Sequence, residues 1–150
     1  MVEAGEPAPD FETRDSEGNL FRLSSYRGEK VVVLYFFPKC FTPGCDLEAR
    51  GFREQFPTFE GSHAQVVGVS ADDAETARSF RQHFQLPFPV LPDPERRVIE
   101  LYGVKGLLGL AKRTTFLIGL DGKVVEKVSS MRPAPHIEQT LRRLKGSDGR

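Results

Sequence analysis

The chain has 150 residues, of which 39% are hydrophobic, so it is long enough to bury one core and too apolar for a disordered protein. Its 21 basic and 21 acidic residues cancel, so no overall charge would attract it to nucleic acid or to an anionic membrane. The longest apolar run, residues 31–37, is too short to cross a bilayer, and residues 1–6 lack the basic and apolar parts of a signal peptide.

The first predicted elements are a hairpin and a buried strand. Residues 11–14 and 19–23 flank the polar turn Asp15-Ser16-Glu17-Gly18, an arrangement that is typical of a β-hairpin. Residues 31–37 form an unbroken run of β-branched and aromatic side chains. This pattern indicates a central strand that is buried on both faces.

A helix should follow the turn at residues 38–44. Its apolar side chains recur at spacings of four and three, as one face of a helix requires: Cys45, Ala49, Phe52, Phe56 and Phe59. Cys45 begins this stripe. Pro57 should end or kink the helix, because a proline disfavours helical geometry in the residue before it.

The second half of the chain continues the alternation of strands and helices. Residues 65–70 predict another buried strand, and Asp72 or Asp73 would cap the helix that follows. The apolar face of this helix consists of Ala77, Phe80 and Phe84.

A short helix and a second hairpin come next. Asp93-Pro94 supplies a helix N-cap and a proline at the first helical position, and Gly103 would end this helix. Residues 114–118 and 124–128 predict two strands that are joined across Asp121-Gly122, a frequent two-residue hairpin sequence.

The last helix carries Ile137, Leu141 and Leu144 on its apolar face and should close at Gly146, after which residues 147–150 should fray. The order β-β, β-α-β-α, short helix and β-β-α predicts one α/β domain over residues 1–150, with a central mixed sheet flanked by helices. A βαβ unit followed by ββα, with a cysteine opening the first core helix, resembles the thioredoxin fold. The N-terminal β-hairpin and the inserted short helix are additions to it.

Cys45 is the residue that the pattern singles out for chemistry. A strand, a Pro/Gly turn and a helix would place its sulfur on the first helical turn, where free N–H groups and the helix dipole favour a thiolate. A dithiol redox site on such a helix needs a second cysteine three residues later, and that position is Glu48. A carboxylate cannot resolve a mixed disulfide. The residues therefore indicate a nucleophile rather than a dithiol pair.

The surroundings of Cys45 resemble the peroxiredoxin family. Pro38, Thr42 and Cys45 form the signature Pro-x-x-x-Thr-x-x-Cys. Thr42-Pro43-Gly44-Cys45 with Glu48 is most similar to the bacterioferritin comigratory protein, or Q, subfamily. The resemblance extends over nearly the whole chain, from Ala8-Pro9-Asp10-Phe11 to Arg113-Thr114-Thr115-Phe116-Leu117-Ile118.

The resemblance implies an activity and a role for each of these residues. The protein would be a thiol peroxidase for hydrogen peroxide and organic hydroperoxides, with thioredoxin or another thiol as reductant. Cys45 would be the peroxidatic cysteine, Thr42 would hydrogen-bond the peroxide and Pro38 would shield the sulfur from water. Arg113 would favour the thiolate and steady the peroxide oxygens, and Glu48 would orient Arg113. Fixed donors of this kind stabilise charge that develops on the leaving oxygen.

The second cysteine departs from the subfamily pattern. Many members carry a resolving cysteine five residues after the peroxidatic one, where this chain has Arg50, or on the next helix, where residues 77–85 contain none. The other thiol is Cys40, five residues before Cys45. Two interpretations stay open. Either Cys40 resolves the sulfenic acid after the loop rearranges, or the enzyme is of the one-Cys type and uses an external thiol.

The fold is also compatible with two other functions, and three further features bear on possible sites. The alternatives are a thiol–disulfide oxidoreductase and a non-catalytic thioredoxin-like binding module. His63, His83 and His136 are predicted to be surface or turn residues, with no spacing that suggests a metal site. The loop at residues 106–110 is apolar and glycine-rich, so it would either pack or line a pocket or partner contact.

The cysteine content also bears on location and cofactors. Two cysteines are too few for a disulfide framework or a structural zinc site. We therefore expect a cytoplasmic protein with free thiols, without metal or cofactor, that is a monomer or a weak dimer.

Overall fold

The structure, a computed structural model, describes residues 1–146. Seven strands and five α-helices follow one another in these residues. The strands are β1 (Glu12–Arg14), β2 (Leu20–Arg22), β3 (Val31–Phe36), β4 (Ala64–Ser70), β5 (Val90–Pro92), β6 (Thr114–Ile118) and β7 (Val124–Ser129). The helices are α1 (Pro43–Glu54), α2 (Phe56–Gly61), α3 (Ala74–His83), α4 (Arg97–Leu101) and α5 (Pro133–Gly146). No helix in this part of the chain is long and apolar enough to cross a membrane.

A five-stranded mixed sheet lies at the centre, in the order β5-β4-β3-β6-β7. β3, β4 and β5 are parallel, whereas β6 and β7 are antiparallel to their neighbours. β1 and β2 form a separate two-stranded hairpin. The predicted central mixed sheet with an added N-terminal hairpin is confirmed.

The central strand β3 is buried along its whole length because it faces a core on each side. Val33 and Tyr35 join the core that is built with α1, α3 and α5. Leu34 and Phe36 join a second core on the other face, together with the N-terminal hairpin and α4. This double burial explains why the strand has no alternation of polar and apolar residues.

Two of the predicted helix signals act as expected. The first helix stops at Glu54, and α2 begins at Phe56, since Pro57 lacks the N–H group that a continuous helix would need. Asp73 caps α3 by accepting a hydrogen bond from the backbone N–H of Thr76 at 2.8 Å.

Three local predictions differ from the structure. The short helix α4 begins at Arg97 rather than Pro94, because Arg96 adopts a left-handed conformation with φ of 59°. Asp93 still accepts a hydrogen bond from the N–H of Ile99 at 2.8 Å, inside the helix. The β6–β7 loop contains three residues, 120–122, rather than two, because the Gly119 N–H donates to the Lys123 carbonyl; a bond from the Gly122 N–H to the Gly119 carbonyl forms the turn inside this loop.

The third difference is strand β5, which the sequence analysis did not predict. The C-terminal ends of α4 and α5, by contrast, lie where they were predicted. Gly103 follows α4 with a φ of 71°, a left-handed conformation that glycine adopts easily. Gly146 is the last residue of α5, and the expected fraying of residues 147–150 lies outside the described residues.

Candidate active site

Cys45 is the third residue of α1, directly after the turn that leaves β3. Thr42 has an extended backbone and precedes the helix, and Pro43 occupies its first position, where the missing N–H has no cost. The sulfur is therefore on the first helical turn, as predicted, and only 1% of Cys45 is exposed. The first N–H groups of a helix have no partner within the helix, and the sulfur lies on the turn that carries them.

Arg113 connects three parts of the structure through one guanidinium group. Its Nη2 donates to Cys45 Sγ at 3.4 Å, and its Nη1 donates to Glu48 Oε1 at 2.5 Å. Nε donates to the backbone carbonyl of Met131 at 3.0 Å. The side chain is nearly buried. A planar guanidinium group whose N–H donors are bound to three separate acceptors has little freedom to move. Arg113 is therefore held against the sulfur.

Arg113 reaches this position because of the sheet register. It directly precedes β6, and Thr114 pairs with Phe36 at the end of β3. The chain leaves β3 toward Cys45 at the same edge. Two segments that are 68 residues apart in sequence therefore meet at one end of the sheet.

Glu48 is a fully buried carboxyl group one helical turn after Cys45. Oε1 binds Arg113, whereas Oε2 has no hydrogen-bond partner among the described residues. Burial raises the pKa of Glu48 to about 8, against the opposing attraction of Arg113. The position that holds the second cysteine in a dithiol site is thus occupied by the partner of an arginine, which argues against the thiol–disulfide oxidoreductase alternative.

The prediction that His136 is a surface or turn residue is wrong. Its side chain is fully buried on α5, where it makes hydrogen bonds of 2.7 Å with Thr115 Oγ1 and with the carbonyl of Ser130. Nδ1 lies 3.8 Å from Glu48 Oε2. Burial lowers the pKa of His136, which favours the neutral ring. His63 and His83 are exposed, as predicted.

The sequence contained a signal for the burial of His136. His136 and Thr140 directly precede Ile137 and Leu141 of the apolar stripe, so they lie within the width of the same helical face. Both are buried in the structure. Their polar groups are paired, since Thr140 Oγ1 donates to the His136 carbonyl at 2.6 Å.

Pro38 and Thr42 both lie in the turn between β3 and α1. Thr42 Oγ1 donates to the carbonyl of Lys39 at 2.7 Å, which closes the turn before α1. Pro38 and Arg113 line an open pocket of 630 Å³, whose wall is mostly apolar. Leu107 and Met131, which are 86% and 91% exposed, stand at its rim. The loop at residues 106–110 therefore lines a pocket beside the site, which was one of the two predicted possibilities.

Cys40 lies in the same turn but is held away from solvent. Its backbone N–H donates to Asp72 Oδ2 at 2.9 Å, and its sulfur is 3.8 Å from Ser70 Oγ. Ser70 and Asp72 are at the end of β4. Burial raises the pKa of the Cys40 thiol well above its usual value, and the nearby Asp72 adds to this effect. Cys40 and Cys45 are both free thiols in this structure.

Known proteins are similar to this chain in sequence and in fold. The model of the AhpC/TSA family matches residues 4–127. Peroxiredoxin Bcp of Bacillus subtilis is 36% identical over 152 residues, which cover 96% of each chain. The crystal structure of peroxidoxin BcpB from Mycobacterium tuberculosis superposes with a TM-score of 0.91 at 36% identity, over 97% of this chain and 98% of that one.

A third relative is the bacterioferritin comigratory protein of Xanthomonas campestris, whose structures address its alkyl peroxide reduction activity. It has a TM-score of 0.88 at 26% identity and covers 97% of this chain and 99% of its own. These matches confirm the predicted thioredoxin fold, with its added hairpin and inserted helix. The chain belongs to the AhpC/TSA family and is a peroxiredoxin, a thiol peroxidase that acts through a peroxidatic cysteine.

Proposed function

We propose that Cys45 is the peroxidatic cysteine. The observation that carries this proposal is the hydrogen bond from Arg113 Nη2 to Cys45 Sγ on the first turn of α1. Arginine keeps its charge at any relevant pH, so it stabilises negative charge on the sulfur. The helix N-terminus acts in the same direction. Cys40 has neither of these partners.

The first step is a two-electron transfer from sulfur to peroxide. The Cys45 thiolate attacks one peroxide oxygen, the O–O bond breaks, and the sulfur becomes a sulfenic acid. The leaving oxygen carries the negative charge and takes a proton from solvent, which gives water or an alcohol. Arg113 lies beside the sulfur, so its N–H groups are available to the oxygen on which charge develops.

Each neighbour of Cys45 supports this step in a different way. Glu48 accepts one arm of the Arg113 fork and so orients the other arm toward the sulfur. Thr42 precedes the helix, and rotation of its hydroxyl away from Lys39 would offer a hydrogen bond to bound peroxide. Pro38 lines the pocket beside Arg113 and has no N–H group with which to bind water, so it would help to shield the sulfur from water.

Both hydrogen peroxide and organic hydroperoxides are proposed as substrates. The pocket beside Arg113 is open enough for a group larger than hydrogen peroxide, and its wall includes Leu107, Leu110 and Met131. An alkyl chain on these side chains would be removed from water. The Xanthomonas relative, which is studied for alkyl peroxide reduction, favours the same substrate class.

Regeneration is proposed to pass through a Cys40–Cys45 disulfide, with thioredoxin or another thiol as the final reductant. In the resolving step the Cys40 sulfur attacks the Cys45 sulfur, the S–O bond breaks, and the hydroxyl leaves with the thiol proton as water. Cys40 must first be released from Ser70 and Asp72, and the first turn of α1 must open. A cytoplasmic location and a monomeric or weakly dimeric state are part of the same proposal.

Intact-mass spectrometry after one equivalent of peroxide tests both steps. The wild type is expected to lose the mass of two hydrogens, because an internal disulfide forms. Cys45→Ser should keep its mass and its circular dichroism spectrum but lose peroxide turnover. Turnover near the wild-type rate in Cys45→Ser would falsify the assignment of the nucleophile. A stable oxygen adduct in the wild type would instead indicate a one-Cys enzyme.

A further inference from the structure

A buried contact network connects His136 with two of the groups that hold Arg113. Two of the three acceptors of Arg113, the Met131 carbonyl and Glu48, are each one contact away from His136. His136 binds the carbonyl of Ser130, the residue before Met131, and its ring lies 3.8 Å from the second oxygen of Glu48. No step of the proposed mechanism uses this histidine.

The hydrogen bonds define the state of the ring. The Ser130 carbonyl can only accept, so Nε2 of His136 must carry the proton and donate it. In a neutral ring Nδ1 then has a lone pair, which accepts the hydroxyl proton of Thr115. The titratable and charged groups that face the ring are Glu48 from α1 and Arg113 from the residue before β6. A neutral ring therefore satisfies both of its partners and adds no charge beside Arg113.

The segment that His136 binds has few other anchors. Ser130 and Met131 follow the end of β7 and precede α5, and the Met131 side chain is 91% exposed. This side chain therefore contributes little packing to hold its own carbonyl. Two side chains tie this segment to the core: the buried His136 ring donates to the Ser130 carbonyl, and Arg113 donates to the adjacent Met131 carbonyl.

His136 also restricts the side chain of Glu48. Its carboxyl group is fully buried, with Arg113 against Oε1 and His136 facing Oε2. A smaller side chain at position 136 would open space beside Oε2. The carboxyl could then rotate, which would change the direction of its bond to Arg113.

We propose that His136 is a positioning residue for peroxide reduction, which keeps the Met131 carbonyl and the Glu48 carboxyl in place and thereby holds Arg113 against Cys45. This inference rests on the proposed roles of Cys45 and Arg113. It predicts that changes at position 136 alter the rate through Arg113 rather than through overall stability.

The test compares two amide substitutions by stopped-flow kinetics with hydrogen peroxide. His136→Gln places an amide nitrogen where Nε2 stood and can still donate to Ser130, whereas His136→Asn is too short to do so. We expect His136→Asn to react roughly tenfold to a hundredfold more slowly, the size of effect that a misplacement of about 1 Å produces. His136→Gln should recover most of the rate. Equal rates in His136→Asn and the wild type would overturn the proposal.

Thr140→Val is the matched control for stability. It removes a buried hydroxyl from the same helical face, and this hydroxyl bonds only to the helix backbone in the described structure. We expect a lower melting temperature but an unchanged peroxide rate. A rate loss as large as that of His136→Asn would mean that any damage to α5 slows the reaction, and the positioning role would be rejected.

A double-mutant cycle with Arg113→Lys tests the route of the effect. If His136 acts through Arg113, then His136→Asn should cause no further loss of rate in the Arg113→Lys background. A full multiplicative loss would show that His136 acts independently and would overturn the inference. Failure of the proposed function is a different result, because Cys45→Ser would then keep its turnover.

Discussion

Gly44 lies directly against the guanidinium of Arg113, so that a Cβ atom at position 44 would be only 2.9 Å from Nη2. Real Cβ atoms almost never come that close to another heavy atom. Nη2 is also the atom that donates to Cys45 Sγ. The glycine before the cysteine is therefore required for the approach of arginine to sulfur, and not for a special backbone angle.

Gly44→Ala is expected to lower the second-order rate with peroxide, because Arg113 must move away from the new methyl group. A displacement of this kind costs roughly tenfold to a hundredfold in rate. Stopped-flow kinetics would measure the effect. Gly61→Ala is the control, since a Cβ there meets nothing within 4 Å among the described residues. An unchanged rate in Gly44→Ala would show that Arg113 does not need its present position.

Arg113→Lys is expected to slow the reaction even though it keeps the positive charge. Lysine offers one compact ammonium group in place of a planar fork, so it cannot contact Cys45, Glu48 and the Met131 carbonyl together. Loss of one fixed donor at an oxyanion site typically costs about two to three orders of magnitude. The comparison uses single-turnover kinetics with hydrogen peroxide. A lysine variant as fast as the wild type would reduce the role of Arg113 to simple charge.

Glu48 is expected to make stability depend on pH. Its pKa rises from the usual 4.5 to about 8 on folding, so between these values the folded state keeps a proton that the unfolded state releases. The stabilising contribution is complete below pH 4.5 and is lost as the pH rises through about 8. The slope for one such proton is at most about 1.4 kcal/mol per pH unit.

Glu48→Gln isolates this contribution. Urea unfolding of both proteins at several pH values between 5 and 8 should show the variant gaining stability relative to the wild type as the pH rises. His136 has a lowered pKa and acts in the opposite direction, since its contribution is lost as the pH falls. Because His136 lies 3.8 Å from Glu48, the same comparison is repeated in the His136→Gln background, which removes the contribution of the histidine. A difference that is constant across this pH range would contradict the prediction.

Cys40→Ser is expected to block the internal disulfide and to expose Cys45 to over-oxidation. A sulfenic acid without a resolving thiol waits for an external reductant and is oxidised further by excess peroxide. The experiment compares the two proteins with thioredoxin as reductant and peroxide in excess, and follows turnover and intact mass. Equal turnover and equal over-oxidation would remove the resolving role of Cys40.

The local sequence is sufficient to predict most helices and strands and the half of the site that lies in the turn before α1. Strand β3 has a continuous apolar pattern, and α1 has a regular stripe, so both could be predicted from periodicity. Cys45, Thr42 and Pro38 lie within eight residues of one another in one turn. Arg113 could be proposed only through the family resemblance, because its contact with Cys45 depends on the pairing of β3 with β6.

The missed features depend on contacts between distant segments. β5 has three residues, too few for a recognisable pattern, and is defined by its pairing with β4. His136 was predicted to be a surface or turn residue, since the spacing of the three histidines suggests no site. Its partners, Thr115 and Ser130, come together with it only when α5 packs against the sheet.

The pairing of Phe36 with Thr114 makes peroxidase activity a measure of strand register. A slip of one residue between β3 and β6 would turn every β6 side chain to the opposite face of the sheet and carry Arg113 away from the sulfur. A misregistered chain could still be compact and rich in secondary structure. During refolding, the return of peroxide reactivity therefore reports when these two strands have found their native alignment, whereas circular dichroism or collapse would report earlier events.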